Sequence, residues 1–157
     1  MNDHPSVSRV KEAAAKAGLD ISVVTFQTPV KTAQAAADEI GCTPAQIANS
    51  LVFEGKNSGD LILLLTSGGH RVDLEKAAQQ IGEPLDRAKP DRIRTETGFV
   101  IGGVAPIGHL RPIKTYIDET LFTFESIWAA GGIAETVFET TASALESATS
   151  ATRFTPN

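Results

Sequence analysis

One short run constrains the fold more than any other part of the chain. Residues Leu61-Ile62-Leu63-Leu64-Leu65-Thr66 are apolar without alternation. A half-exposed strand alternates apolar and polar residues, whereas a continuous apolar run of strand length is covered on both faces. The run therefore predicts a strand with structure packed on either side of it. A second β-rich run, Ser50-Leu51-Val52-Phe53, precedes it across the polar turn of residues 54–60. The pair reads as a hairpin with a long loop.

Helix signals surround the hairpin. Val7, Val10, Ala14 and Ala17 recur at intervals of three and four, which predicts a helix over residues 6–17, ended by Gly18. Residues 32–40 are Ala-rich and stop at Gly41. Thr43, Pro44 and Gln46 have the spacing of a capping box with proline at the first helical position. Asp73 can cap a helix that runs to Ile81, and Asp91 a helical turn before Thr97. Residues 21–26, 99–101, 115–118 and 136–138 read as strands. Residues 119–130 read as a helix with Leu121, Phe124, Ile127 and Trp128 on one face, which assigns Trp128 to the core. A weak helix over 142–148 closes the series, and the tail from Thr149 is expected to fray.

Short strands and short helices that interleave irregularly favour an α+β class over a doubly wound parallel sheet. The expectation is a mixed sheet that curls on itself into a barrel-like core flanked by short helices. The 157 residues fit a single domain over 1–157, with its core at about 7–148 and a flexible C-terminal tail. With 41% apolar and 21% charged residues, a packed core is expected rather than disorder. The net charge of -5 argues against broad coating of a nucleic-acid backbone, double-stranded DNA included. Cys42 stands alone, so it forms no internal disulfide and no cysteine-based metal site by itself. No apolar run reaches the length of a membrane span. The expected setting is cytoplasmic, with no membrane partner, metal or cofactor.

The segment Gly102-Gly103-Val104-Ala105-Pro106-Ile107-Gly108 carries the clearest chemical signal. Three glycines and a proline give a loop of fixed shape whose backbone N–H groups can approach a ligand. Such amides hold an oxyanion or a phosphate, or the segment is a tight connection with no ligand. His70 and His109 each lie beside a glycine turn, as a general base or as a hydrogen-bonded bystander. Arg87, Lys89, Arg92 and Arg94 fall close together, and Arg71 can join them in space. They read as a solvated face or as phosphate contacts for a nucleic-acid end.

The order TAQAAADEIGCTPAQIANSLVF, LILLLTSGGHRVDLEKAAQQIG, TGFVIGGVAPIGH, YIDETLFTFESIWAAGG resembles the YbaK family. That family includes the editing domain of bacterial prolyl-tRNA synthetase and its freestanding relatives. The most specific piece is Gly102-Gly103-Val104-Ala105-Pro106, which looks like the family's Gly-x-x-x-Pro loop. The resemblance implies a trans-editing hydrolase that removes a mischarged amino acid from the tRNA 3′ end, with transient association with a synthetase. It implies catalytic roles for Gly102, Gly103 and the position of Asn49. It implies substrate contacts at Phe26, Ser50, Leu51, Ile101, Val104, Ala105, Pro106 and His109, and tRNA phosphate contacts at Arg71, Arg87, Lys89, Arg92 and Arg94. In the family a lysine stands just before the Ser/Thr-Leu-Val strand; here that position is Asn49, at the predicted junction of helix and strand. Asparagine offers two donors and an acceptor but no charge. Either it takes part in the site or it caps the junction. Lys31, between two predicted elements, is a second candidate for the missing charge, and no spacing rule places its amine near Asn49. The alternative function is a catalytically silent module that binds an aminoacyl-tRNA 3′ end, an amino acid or a protein partner.

Overall fold

The computed structural model describes residues 3–157. In chain order the elements are α1 (Pro5–Lys16), β1 (Val23–Thr25), α2 (Ala33–Ile40), β2 (Ile47–Gly55), β3 (Leu61–Ser67), α3 (Leu74–Ile81), β4 (Leu85–Arg87), α4 (Pro90–Thr97), β5 (Lys114–Asp118), β6 (Ile127–Ala130), β7 (Thr136–Thr140), α5 (Ala142–Thr149) and β8 (Thr152–Phe154). Single 3₁₀ segments occupy Pro44–Gln46 and Glu119–Thr123. The strands form one mixed sheet in the order β1-β7-β6-β2-β3-β5-β8, with β4 attached to β2 beside that path.

The apolar run is the inner strand that its composition predicts. Every residue of β3 is buried. Leu61, Leu63 and Leu65 enter the main core, together with Val10, Ile93, Phe99, Ile117 and Leu145. Ile62 and Leu64 face the opposite way into a second cluster with Ala77, Tyr116 and Phe154. The period-2 alternation of a strand thus feeds two cores, which is why no polar residue interrupts the run. The hairpin is antiparallel, with Asn49 opposite Thr66 and Val52 opposite Leu63.

One edge of β2 is fully paired and the other is split. Along the second edge β6 pairs only with Ile47 and Ala48. On the same strand β4 takes Phe53, Glu54 and Gly55. Residues 49–52 lie between these two partners and pair with β3 alone. The capping box at Thr43 and Gln46 forms as the spacing predicts, and it delivers the chain into β2 beside this gap. Thr32 caps α2 through Ala35, and Gly41 ends the helix in the left-handed conformation.

The α+β class with a mixed sheet flanked by short helices is as expected, and the sheet stays open, with β1 and β8 as its free edges. Several finer expectations are corrected. Residues 99–101 form no strand: the Gly103 N–H donates to Val100 O (2.9 Å) and closes a turn there. Residues 119–130 form no helix, because a 3₁₀ segment gives way to β6, which pairs with both β2 and β7. Sheet pairing has overridden a helical period here. Asn49 lies within β2 rather than at a junction. Asp91 is not a cap; it lies in the first turn of α4, behind Lys89.

The tail does not fray. β8 joins β5 in parallel, and Gln80 exchanges two hydrogen bonds with the Thr155 backbone (2.8 and 2.7 Å). Phe154 is only 2% exposed, between Ile62, Tyr116 and Ala77. Deleting a buried phenyl ring costs about 3–5 kcal/mol. Phe154→Ala is therefore expected to lower the free energy of urea unfolding by about 3 kcal/mol. A loss below about 1 kcal/mol would mean that the tail contributes little to the second core.

Candidate functional site

The gap in the sheet opens into a cleft of about 600 Å³. Residues 47–51 of β2 form its floor, α2 contributes Ala33 and Ala36, and the β6–β7 connection contributes Ile133 and Ala134. Ile101, Gly102 and Val104 of the glycine-rich loop overhang it. Alternation along β2 puts Ile47, Asn49 and Leu51 on one face and Ala48, Ser50 and Val52 on the other. Consistent with this, Ile47 packs with Ala36 and Ala37 of α2, whereas Ala48 and Val52 join the main core.

Two features of the loop bear on chemistry. Gly102 has φ +93, a conformation open to glycine, and its backbone N–H makes no hydrogen bond within the described residues. The Val104 N–H is likewise without a partner among them. The Gly103 N–H is already taken by Val100 O. Gly103 serves by its size instead: a Cβ there would lie 3.0 Å from Ile133 Cα and 3.2 Å from Ala134 N. Of the loop residues that line the cleft, Ile101, Gly102 and Val104 each carry an N–H without a partner among the described residues.

Asn49 makes no side-chain hydrogen bond within the described residues, so it caps nothing. Its amide lies above the Ser67–His70 turn. A Cβ on Gly68 would lie 3.5 Å from Asn49 Nδ2 and 2.3 Å from Ala33 Cβ, so only glycine fits beneath it. Asp118, fully buried, holds that turn: its carboxylate accepts from the Ser67 N–H (2.9 Å) and the Thr120 N–H (2.8 Å) and lies 2.7 Å from His70 Nε2. His70 is thus tied to the scaffold. Lys31 lines the cleft with its stem against Gly102: Cγ and Cδ lie 3.8 and 4.0 Å from where a Gly102 Cβ would stand. It is the one charged residue among those lining the cleft, and within the described residues it makes no ion pair.

The structure thus brings Asn49, Ser50, Leu51, Ile101, Gly102 and Val104 together around one space. Ala105 and Pro106 are buried behind the loop, and Phe26 lies away from the cleft lining, its N–H donating to Glu135 O (2.7 Å). Ser50 Oγ is buried with no hydrogen-bond partner. Of the basic residues, Arg92 pairs with Glu96 and with Glu54 (3.1 Å), and Arg94 with Asp91 (2.6 Å). Arg71 lies by the chain end, where its carbonyl accepts from Asn157 Nδ2 (3.0 Å). Trp128 is partly buried: it packs against the cluster of Ala36, Ala37 and Ile47 and also lines the cleft. Its site position follows from the pairing of Ile47 with Trp128, which a helical reading of that segment conceals.

The sequence matches the model of the aminoacyl-tRNA editing domain over residues 27–148. The chain belongs to this family of YbaK-like editing domains. A Bacillus subtilis relative, the uncharacterized protein YwhH, is 32% identical over 119 residues, which is 76% of this chain and 75% of that one. An Enterococcus faecalis relative named "Putative Cys-tRNA(Pro)/Cys-tRNA(Cys) deacylase EbsC" is 26% identical over 64% of this chain and 62% of its own. A solved structure described as "a putative trans-editing enzyme for prolyl tRNA synthetase" superimposes with TM-score 0.91 at 39% identity, covering 98% of each chain. No helix among the described residues is long and apolar enough to cross a membrane.

His109 stands behind the loop rather than in the cleft. Its Nε2 lies 2.8 Å from Ala105 O, which makes it the donor, and its ring meets Phe99 edge-on at 5.7 Å. Burial, with a smaller push from the Arg9 charge, holds its pKa below the ordinary imidazole value despite the Ala105 bond. Below about pH 6.5 the unfolded chain takes up a proton that the folded state resists. Stability is then complete above that pH and declines as pH falls through it. Thermal unfolding at pH 7.5 and 5.5 is expected to show a fall in Tm that His109→Gln reduces. An equal fall in both proteins would detach the loop's stability from His109.

Proposed function

We propose that the protein is a trans-acting aminoacyl-tRNA deacylase that hydrolyses the ester between a wrong amino acid and the terminal ribose of a tRNA. The observation that carries this reading is the convergence of unpaired loop N–H groups, an unpaired amide and a single cation on one cleft. Family membership and the likeness to a structure described as a trans-editing enzyme support it. So does the need for editing, since a synthetase pocket discriminates weakly between substrates that differ by a methylene.

Water adds to the ester carbonyl carbon and gives a tetrahedral oxyanion. The Gly102 N–H and the Lys31 ammonium stabilise that charge as it develops. The C–O bond to the ribose then breaks, the ribose oxygen leaves with one proton of the water, the amino acid departs as its carboxylate, and the other proton passes to solvent. No His, Asp or Glu lines the cleft among the described residues. The water is therefore oriented by the neighbouring ribose hydroxyl and by Asn49, which can accept from one group and donate to another. Alanine side chains from α2, β2 and β6 line the floor and suit a small aminoacyl group. In this scheme Lys31 supplies, from the opposite wall, the charge that Asn49 lacks. Encounter with a prolyl-tRNA synthetase complex fits the described role of the solved relative. A second reading, a module that binds without hydrolysis, rests on the neutral side chain at position 49.

The test is a deacylation time course with tRNA charged separately with alanine, serine, cysteine and proline, against a control without protein. Selective loss of one mischarged species is expected. Lys31→Ala should lower kcat by about 10²–10³, the usual effect of removing an oxyanion partner. Asn49→Ala should lower turnover more than it lowers stability. No release from any species by folded protein, with release gained in Asn49→Lys, would establish the silent module instead.

A further inference from the structure

Helix α1 lies outside residues 27–148, which match the family model, yet two walls of the cleft rest on it. The glycine-rich loop leaves the body of the protein at Thr97 and returns at Leu110. Backbone bonds close its neck, from the Leu110 N–H to Thr97 O (3.1 Å) and from the Arg111 N–H to Glu96 O (3.0 Å). Arg9 bridges the same neck further in. Its guanidinium donates to Gly98 O (2.6 Å) and Gly108 O (3.4 Å) and lies 4.9 Å from the centre of the buried Phe99 ring. Between those two carbonyls a single backbone–backbone hydrogen bond forms among the described residues, from the Gly103 N–H to Val100 O. The loop therefore takes its setting mainly from its neck. A Cβ on Gly108, where φ is +86, would lie 3.1 Å from Arg9 O, so that end of the loop is seated on the helix backbone. The β6–β7 connection is seated on the same helix: a Cβ on Gly132 would lie 2.8 Å from Ser6 O. The contacts form a ring, from α1 to the loop neck, from Gly103 to Ile133, and from Gly132 back to α1.

We infer that Arg9 is a positioning residue: its two-point hold on the neck sets where the Gly102 N–H stands relative to Lys31 and Asn49. The catalytic consequence rests on the deacylase reading. Arg9 is half-buried and is not among the residues that line the cleft, so its effect passes through the loop. Among the described residues it pairs with no carboxylate, and its donors go to backbone carbonyls instead. The planar guanidinium fork suits this task, because its donors hold two acceptors at a fixed separation; a lysine ammonium is a point charge on a flexible stem. A charged donor also makes a stronger bond to a carbonyl than a neutral one does. Gly98 is the C-cap of α4, so the cation meets the negative end of that helix as well. Donors stabilise a developing charge when they stand in place beforehand, and a misplacement of about 1 Å costs about 10²-fold in rate.

The test compares the full chain with Arg9→Met, which keeps the stem and loses the fork, and with Arg9→Lys, which keeps the charge. Val7, Val10 and Ala14 on the buried face of α1 stay in place in both. One readout is amide hydrogen exchange by NMR at Gly103 and Leu110, whose N–H groups close the turn and the neck. Exchange there is expected to rise about tenfold in Arg9→Met, while Leu63 in the interior of β3 is unchanged. The other readout is steady-state kinetics on the mischarged tRNA that the unaltered protein deacylates. Arg9→Met should lower kcat about 10²-fold and leave KM within about twofold. Arg9→Lys should fall between the two in both readouts, because one ammonium holds only one end of the neck. Full kcat in either variant would overturn the inference, as would a lost kcat with unchanged exchange at Gly103 and Leu110. Equal rises at Gly103 and Leu63 would reduce Arg9 to a general contributor to stability and overturn it too. Amide exchange needs no turnover. Faster exchange in the variants of a protein that deacylates no species would defeat the deacylase reading and leave the hold on the loop standing. Deacylation by Arg9→Met at the unaltered rate would defeat the inference and leave the hydrolase standing.

Discussion

The sheet is split along one edge of β2, and the candidate chemistry lies in the split. Strand β6 leaves β2 after Ala48, and β4 joins it only at Phe53. An unpaired edge inside a sheet is a liability, because its backbone N–H and C=O groups invite another chain. Here the edge is too short to template a strand and is overhung by the glycine-rich loop. The same vacancy that would weaken a purely structural sheet leaves backbone groups, an unpaired amide and a cleft available to a ligand.

The loop above this gap has no helix or sheet to hold it, so its position depends on side chains from elsewhere. Arg9 of α1 is the principal tie. Its guanidinium donates to Gly98 O (2.6 Å) and Gly108 O (3.4 Å), at the two ends of the loop, and lies 4.9 Å from the centre of the Phe99 ring. His109 adds a bond to Ala105 O from behind. On the other side of the gap, Asp118 fixes the turn beneath Asn49. Each tie satisfies backbone groups that irregular structure would otherwise leave unpaired. The loop is thereby held in shape before a ligand arrives, as donors aimed at a developing charge require.

The parts of this arrangement that depend on local chemistry were legible in the sequence. The uninterrupted apolar run of β3 announced a strand covered on both faces, and Thr43 with Gln46 announced the turn that leads into β2. The glycines and proline of 102–106, with their resemblance to a known loop, located the overhang. What depended on distant pairing was hidden. The segment with Trp128 carries a helical period and becomes a strand because β2 and β7 bracket it. Residues 99–101 are apolar enough for a strand, yet the positive φ of Gly98 and Gly102 on either side turns the chain away. The tail reads as polar and weak until Phe154 finds the second core. Nothing near Lys31 in the sequence shows that its stem will lie against Gly102, since the contact joins segments far apart in the chain.

The most direct measurement is a crystal structure with the amide analogue of an aminoacyl adenosine, in which nitrogen replaces the ester oxygen and hydrolysis is blocked. The aminoacyl carbonyl oxygen is expected within hydrogen-bond distance of the Gly102 N–H, with the Lys31 ammonium turned toward it and Asn49 on the ribose side. An analogue seated with its carbonyl away from Gly102 and Lys31, or bound outside the split edge of β2, would rule out the Gly102 N–H and Lys31 as the oxyanion partners.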